Sequence, residues 1–264
     1  MYAFSYHKPA SLDDAARLLA QAEDGQYLAG GHTLLPTMKQ HLAAPSDLVD
    51  LAAIPDLAGI EASGGTLRIG AMTRHADVGA SAAVADMIPA LGALAGGIGD
   101  AAVRNRGTLG GSIANNDPAA DYPAAVLGLG ATVITNRRQI AGDDFFTGMF
   151  ETALDEGEII TAVTFPAPRT AAYVKFPNPA SRYAIVGVFV ARFTDRVRVA
   201  VTGAGACVFR LGEAESRLAG DFSPAALDGL AIPADGLNGD IHASAEYRAH
   251  LIGVMVRRAV GAAG

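Results

Sequence analysis

Two glycine pairs decide how this chain folds, and they lie in LAGGHTLLP, residues 28–36, and RGTLGGSIANNDP, residues 106–118. Paired glycines let consecutive backbone N–H groups turn toward one point, and they leave space for a ligand where other residues carry a Cβ atom. Hydroxyl side chains stand beside both pairs, at Thr33, Thr108 and Ser112. Each segment is therefore a candidate phosphate cradle, and two cradles suit a pyrophosphate and hence a dinucleotide. The alternative, ordinary tight turns in a glycine-rich chain, stays open at this point.

A third glycine motif raises the question of whether the chain contains a Rossmann dinucleotide-binding loop. Residues 97–102, GIGDAA, match the Gly-x-Gly-x-x-Gly/Ala pattern of Rossmann domains. That pattern binds a pyrophosphate only when a strand precedes it and a helix follows it. Residues 88–95 have a helical pattern instead, and Gly203-Ala204-Gly205 lies in a β-rich run with no helix after it. The sequence therefore disfavours a nicotinamide-dependent dehydrogenase.

The composition excludes several other classes of protein. Lys and Arg number 20 against 27 Asp and Glu, a net charge of −7 with no basic tract, which argues against nucleic-acid binding. The single cysteine, Cys207, rules out an intrachain disulfide framework, and it rules out an iron–sulfur cluster held by this chain alone. Cys207 lies in an apolar run that predicts a strand, so we expect a buried, unreactive thiol.

Neither a membrane span nor an export signal is expected. The longest stretch without a charge, residues 122–136, is short and is interrupted by Pro123, Gly128 and Gly130. The opening residues, MYAFSYHKP, lack the basic start and apolar block of a secretory signal. These patterns predict a cytoplasmic protein.

Hydrophobic periodicity and turn residues predict an α+β organisation up to a linker at residues 166–170. The first helix begins at the capping box Ser11–Asp14 and ends at Gly25. Further helices are predicted across residues 73–95, with a break near Pro89, and at residues 121–129. Strands are predicted at residues 27–29, 46–51, 59–62, 66–71, 131–135 and 158–165, with residues 63–65 as a hairpin turn.

A second pattern follows the linker. Residues 184–193 and 197–209 are apolar, β-branched runs that predict an antiparallel pair of strands. One helix is predicted from Ser223 and a second from Ser244. We therefore expect two domains, residues 1–168 and 169–264.

No familiar catalytic constellation accompanies the glycine segments. The sequence has no Gly-x-Ser-x-Gly elbow, P-loop or His-Glu-x-x-His pattern. His32 has two open interpretations, as a donor to a ligand or as a structural residue beside a turn. Asp121 also has two, because an acid at a helix start either caps the helix or holds a ribose or ribityl hydroxyl.

Several segments together resemble one family, the FAD-binding medium subunits of molybdenum hydroxylases of the carbon monoxide dehydrogenase type. The segments that carry the resemblance are residues 4–9, 29–39, 108–123, 175–176, 179–184, 244–248 and 257–259. The resemblance implies a two-part α+β FAD domain of the vanillyl-alcohol-oxidase or PCMH type. A small C-terminal domain with an antiparallel sheet and helices would follow it.

The resemblance also implies which residues hold FAD, and it implies no catalytic residue and no metal ligand in this chain. The backbones of residues 29–33 and 108–112 would hold the pyrophosphate. Asp121 would contact the cofactor, Lys175 would lie near its rings, and Tyr183 would pack by the isoalloxazine. The implied contacts are Ala29, Gly30, Gly31, His32, Thr33, Leu34, Thr108, Leu109, Gly110, Gly111, Ser112, Asn115, Asp121, Ile160, Lys175 and Tyr183.

The function implied by the resemblance is electron transfer inside a larger enzyme. A large subunit with molybdopterin would oxidise the substrate, and a small subunit with two 2Fe–2S clusters would relay electrons to this chain's FAD. FAD would pass them to an external acceptor, in a dimer of heterotrimers. Tyr247 and Arg248 of the last helix are candidate contacts with the cluster subunit. Two alternatives stay open: a self-contained FAD-dependent reductase or oxidase of the same fold, and a non-catalytic scaffold subunit.

Overall fold

The computed structural model describes residues 1–264. Its N-terminal part is a parallel sheet with the order β1-β3-β2. Its elements are β1 (Ser5–His7), α1 (Leu12–Gln21), β2 (Gly25–Leu28), α2 (Leu34–Lys39) and β3 (Asp47–Asp50). The Ser11 side chain accepts a hydrogen bond from the Asp14 N–H, so the predicted start of α1 is confirmed. The predicted end is wrong, because the helix stops at Gln21 and Gly25 already begins β2.

The middle part is a five-stranded antiparallel sheet flanked by short helices. The sheet has the order β4-β5-β10-β6-β7, with β4 (Ile60–Ser63), β5 (Thr66–Gly70), β6 (Thr132–Thr135), β7 (Gln139–Ala141) and β10 (Ile160–Pro166). The helices are α3 (His75–Ala80), α4 (Ala82–Met87), α5 (Pro89–Gly96), α6 (Ala101–Arg104), α7 (Leu109–Asn115), α8 (Tyr122–Leu129) and α9 (Gly142–Phe145). A small hairpin of β8 (Phe146–Gly148) and β9 (Glu151–Thr152) completes this part. The predicted turn at residues 63–65 and the predicted break at Pro89 are both confirmed.

The C-terminal part is a four-stranded antiparallel sheet covered by helices. The strands follow chain order: β11 (Thr170–Pro177), β12 (Ala184–Arg192), β13 (Val197–Thr202) and β14 (Phe209–Arg210). The helices are α10 (Gly212–Gly220) and the long α11 (Ala245–Ala263), which packs on β11 and β12. None of the chain's helices is both long enough and apolar enough to span a bilayer.

Three predictions for the C-terminal part are wrong. The strand predicted at 197–209 is broken, because Gly203 takes a φ of +84° and its N–H donates to the carbonyl of Pro118. Cys207 therefore lies in a loop before β14 and is partly exposed. The helix predicted from Ser223 is only a 3-10 turn, Pro224–Leu227, although Ser223 does cap it. Helix α10 was not predicted.

The middle and C-terminal parts share one hydrophobic core. Every residue of α8 is buried, and β12 packs across it. A Cβ atom on Gly128 would lie 2.7 Å from Cδ1 of Phe189, so the helix and the strand meet at van der Waals distance. Arg198 of β13 donates from Nε to the Leu127 carbonyl at 2.8 Å. The α+β class is confirmed, and this shared core holds the loops of both parts in fixed positions.

Candidate functional site

A cleft of about 700 Å³ lies where the three parts of the fold meet. Its wall is formed by residues 26–34 of the N-terminal part, by residues 107–121 of the middle part and by residues 181–183 of the C-terminal part. The volume falls within the range of roughly 300–1,000 Å³ typical of cofactor sites. All but two of the predicted cofactor contacts line the cleft: Ala29, Gly30, Gly31, His32, Thr33, Leu34, Thr108, Gly110, Gly111, Ser112, Asn115, Asp121, Ile160 and Tyr183.

The first glycine segment offers unpaired hydrogen-bond donors to the cleft. It joins β2 to α2, and Gly31 turns the chain with a φ of +72°. The backbone N–H groups from Gly30 to Leu34 donate to no acceptor within the chain. Thr33 occupies the N-cap position of α2, and its side chain makes no capping bond. A run of N–H groups without a protein acceptor suits an anion such as a phosphate.

The second glycine segment is different, because most of its N–H groups are already paired. Leu109 donates to Thr73 at 3.0 Å and Gly110 donates to Ala71 at 2.8 Å. The Gly111 N–H donates to the hydroxyl oxygen of Thr108 at 3.2 Å. This finding corrects the expectation that both segments present backbone N–H groups to a ligand. Side chains of the second segment, among them Ser112 and Asn115, line the cleft instead.

Two of the glycines serve packing within the chain rather than space for a ligand. A Cβ atom on Gly30 would lie 2.3 Å from the carbonyl oxygen of Arg106. A Cβ atom on Gly110 would lie 2.6 Å from the Cβ of Ala71. The absence of a side chain at these positions lets the two segments and strand β5 meet backbone to backbone. The sequence located the two glycine turns correctly. At Gly30 and Gly110, however, the missing side chain serves backbone packing and not space for a ligand.

Asp121 lines the cleft and takes part in a buried ion pair with Lys175, which lies behind the wall. The carboxylate is 4% exposed and accepts hydrogen bonds from Lys175 Nζ, at 3.1 Å, and from the hydroxyl of Tyr173. Burial raises the pKa of Asp121, and the charge of Lys175 opposes that rise. Asp121 makes no side-chain capping bond to α8, so the capping interpretation is wrong.

The two remaining predicted contacts do not line the cleft. Lys175 donates to the Gly97 carbonyl, at 3.0 Å, as well as to Asp121, and its side chain is largely buried behind the wall. Leu109 is fully buried in the core, where it anchors the start of α7. Both residues support the wall from behind.

Tyr183 stands at the entrance of the cleft on a folded loop of the C-terminal part. Its side chain is 45% exposed although it lines the cleft. The Asn178 side chain accepts hydrogen bonds from Ala180 and Ser181 N–H groups and so shapes this loop. Arg182, with a φ of +64°, reaches across to the Gly99 carbonyl at 3.2 Å. Burial, together with the charges of Asp117 and Asp121, raises the pKa of the Tyr183 hydroxyl.

Sequence reasoning missed many of the residues that line the cleft, among them the polar side chains of His75, Arg182 and Glu158. His75 is 4% exposed, and burial, with His32 and Arg104 nearby, lowers its pKa to about 4. The Glu158 carboxylate is paired with Arg138, which holds its pKa at about 2. Their positions depend on contacts between distant segments, and no local pattern marks them.

These residues fit FAD. The unpaired N–H groups of residues 30–34 can hold a pyrophosphate, and the volume is that of a cofactor site. FAD would be held by the backbone of the first segment, by side chains of the second and by the loop that carries Tyr183.

Comparisons with known proteins agree with this geometry. A family model described as the FAD binding domain in molybdopterin dehydrogenase matches residues 2–168. The chain is 39% identical to the nicotine 6-hydroxylase medium subunit of Paenarthrobacter nicotinovorans, over 99% of this chain and 98% of that one. It is 37% identical to the carbon monoxide dehydrogenase medium chain of Hydrogenophaga pseudoflava, over 98% and 96% of the two chains.

A solved structure extends the similarity to the whole fold. A chain of reconstituted CO dehydrogenase from Oligotropha carboxidovorans superposes with a TM-score of 0.92 and 35% identity, over 99% of this chain and 98% of that one. The middle and C-terminal parts are both included at this coverage. The chain therefore belongs to the FAD-binding medium subunits of the molybdenum hydroxylases, a family of oxidoreductases.

Proposed function

We propose that FAD lies in the cleft, with its pyrophosphate on the N–H groups of Gly30–Leu34, and that the chain passes electrons between a partner's 2Fe–2S clusters and an external acceptor. The observation that carries the proposal is the run of unpaired N–H groups that opens into a cleft of cofactor size. Bound FAD supplies a redox centre that exchanges electrons singly or in pairs, and the protein supplies binding, orientation and electrostatics.

The chain's own residues have separate tasks in this proposal. Residues 30–34 hold the negative pyrophosphate without needing a charged side chain. Asp121 in the wall and Lys175 behind it neutralise one another and keep the wall rigid. Tyr183 limits access to the flavin at the entrance.

The remaining predicted contacts fall into two groups. Ala29, His32, Thr108, Gly110, Gly111, Ser112, Asn115, Asp121 and Ile160 are proposed to contact FAD directly, because each lines the cleft. Leu109 and Lys175 are proposed to act on FAD only through the wall that they support. The domain division at residue 168 and the cytoplasmic location stay predictions.

Partners follow from what this chain lacks. One cysteine cannot hold an iron–sulfur cluster, so the clusters that would feed electrons to FAD must be held by another polypeptide. We propose a small subunit with two 2Fe–2S clusters and a large molybdenum subunit with molybdopterin, arranged as a dimer of heterotrimers. Relatives named for nicotine and for carbon monoxide align over nearly the same length, which supports substrate selection by the large subunit.

Reconstitution with FAD tests the proposal directly. The full chain, freed of flavin, is expected to take up one FAD and to develop a flavin absorption spectrum. Gly31→Val is expected to abolish uptake, because Gly31 has a φ of +72° and Leu35 lies 2.9 Å from the new Cβ. Gly220→Ala is the matched control, since it meets nothing within 4 Å. A wild-type chain that takes up no FAD would overturn the proposal.

A second experiment tests the proposed dependence on partner subunits. Co-expression with the neighbouring subunits is expected to give a particle containing two copies of each chain by native mass spectrometry. The isolated, FAD-loaded chain is expected to oxidise no organic substrate. Turnover by the isolated chain would favour the self-contained reductase or oxidase, and a colourless subunit that still joins the complex would favour the scaffold.

A further inference from the structure

We propose that His75 binds the FAD pyrophosphate through its Nε2 atom, an inference that rests on the proposed placement of FAD. His75 is the first residue of α3 and forms part of the cleft wall while only 4% exposed. Its backbone N–H donates to the Gly107 carbonyl at 3.0 Å, which fixes the residue against the second glycine segment.

The two nitrogen atoms of the His75 ring lie in different surroundings. Nδ1 is buried and has no hydrogen-bond partner, and the ring packs against Tyr122 with 5.3 Å between centroids. Nε2 lies on the other side, against Gly107, where a Cβ atom would come within 2.5 Å of it. Nε2 has no hydrogen-bond partner in the chain and, unlike Nδ1, is not fully buried, so it is the polar atom of the ring that a cleft ligand can reach.

Nε2 lies beside the proposed anion cradle. The Cα of Gly107 is also the atom that a Cβ on Gly30 would meet at 2.7 Å, so His75 sits behind the junction of the two segments. The unpaired N–H groups begin at Gly30 and run to Leu34. A donor at Nε2 would complete this run from the opposite segment, whose own N–H groups are mostly paired.

The charge state of the free protein agrees with a donor role. Burial, His32 and Arg104 lower the pKa of His75 to about 4, so the ring is neutral at neutral pH. A neutral imidazole carries one proton, and because Nδ1 has no acceptor within reach, we assign that proton to Nε2, where it can be donated. A bound pyrophosphate would stabilise that proton further.

Isosteric variants separate this role from a packing role. The Gln side chain places an N–H near Nε2, whereas Asn mimics Nδ1 and Phe keeps only the ring. We expect His75→Gln to bind FAD within about 3-fold of wild type. His75→Asn and His75→Phe are expected to bind about 10- to 100-fold more weakly, as for a lost hydrogen bond to a charged group. The control is His242→Gln, at an exposed position outside the cleft.

Comparison of two ligands, ADP and FAD, shows which part of FAD His75 contacts. The affinity for each is measured by titration of the flavin-free chain. ADP carries the pyrophosphate without the flavin, so His75→Asn is expected to weaken ADP and FAD binding by the same factor. Equal binding of both ligands by wild type and His75→Asn would overturn the inference. Weaker binding of FAD with unchanged binding of ADP would overturn it too, by moving the contact to the flavin half.

A measurement on the wild-type protein tests the inference even if the His75 variants fail to fold. In a protein labelled with ¹⁵N-histidine, ADP is expected to shift the Nε2 resonance of His75, and an unmoved resonance contradicts the inference. Failure of the proposed function gives a different result, because then wild type binds neither ligand. If wild type binds both, Gly31→Val binds neither and the His75 variants match wild type, only the inference fails.

Discussion

Gly30 lies against the backbone at Gly107 so closely that a Cβ atom on Gly30 would come 2.7 Å from the Gly107 Cα. The same Cβ would come 2.3 Å from the carbonyl oxygen of Arg106. The two glycine segments are therefore joined by direct backbone contact, and the cleft between them depends on a residue without a side chain at position 30.

Gly30→Ala is expected to destabilise the protein and to lower its FAD content. Backbone atoms cannot rotate away as a flexible side chain can, so the two segments must separate, at a cost of about 1–3 kcal/mol. Thermal unfolding of the flavin-free chain measures this as a fall in Tm of several degrees. Gly96→Ala is the matched control, because that position is helical and open, and it should be neutral or slightly stabilising. An unchanged Tm for Gly30→Ala would contradict the close approach.

Asp121 and Lys175 are expected to show strong energetic coupling. Breaking a buried ion pair by removing one partner leaves an uncompensated charge and costs about 3–5 kcal/mol. We expect Lys175→Met and Asp121→Asn each to be strongly destabilising, and the double variant to be much less destabilised than their sum. Urea unfolding of the four proteins gives the coupling energy. The exposed pair of Arg17 and Asp14 is the control, and its coupling is expected to be much smaller because water screens both charges.

Additive effects at Asp121 and Lys175 would mean that the two side chains do not interact. The pair would then leave the cleft wall without the rigidity that we assign to it.

Local signals in the sequence predicted the elements that depend on neighbouring residues. Ser11 caps α1, residues 63–65 form the hairpin turn, and Pro89 begins α5, because each involves interactions within about four positions. Such patterns also located both glycine segments, since a turn without side chains is visible in the sequence itself.

The features that the sequence did not show depend on contacts between residues far apart in the chain. Strand β13 stops at Gly203 because Pro118, far away in the chain, accepts its N–H. The second glycine segment has no free N–H at Gly110 because the carbonyl of Ala71, the residue after β5, accepts it. His75 becomes a cleft residue only through its contact with Gly107. Periodicity and motif spacing carry no information about these pairings.

Glu158 is expected to make the free energy of unfolding depend on pH in the acid range. Arg138, the Thr135 hydroxyl and the Asp155 N–H all donate to this carboxylate, and they lower its pKa from 4.5 to about 2. Because the folded pKa is below the unfolded one, the stabilisation is complete above about pH 4.5 and is lost as the pH falls toward 2. A shift of this size corresponds to about 3 kcal/mol, which the partial exposure of Arg138 reduces.

Glu158→Gln should remove this pH dependence. Unfolding free energies measured from pH 7 to pH 2.5 are expected to fall more steeply for wild type than for the variant. Glu213→Gln, at an exposed pair with Arg217, should leave the slope unchanged. Parallel curves for wild type and Glu158→Gln would show that the Arg138 contact does not hold the carboxylate charged.

Arg248 is a structural residue, contrary to the expectation that it contacts a partner subunit. The side chain is 4% exposed and donates from Nη1 to the carbonyls of Ile185 and Gly203, at 2.6 and 2.7 Å, and from Nη2 to Asp240 at 2.7 Å. It ties α11 to the ends of β12 and β13. Its helix neighbour Tyr247 is 43% exposed and stays a candidate contact.

Arg248→Met is therefore expected to cost about 3–5 kcal/mol, because two buried carbonyls lose their donors and Asp240 loses its partner. Arg248→Lys should recover only part of this, since one ammonium cannot reproduce the fork that reaches three acceptors. Arg258→Met on the same helix is exposed and should change stability by less than about 0.5 kcal/mol. Chemical unfolding of the isolated chain gives all three values. If Arg248→Met were as stable as wild type alone but failed to join the partner subunits, the residue would be an interface contact after all.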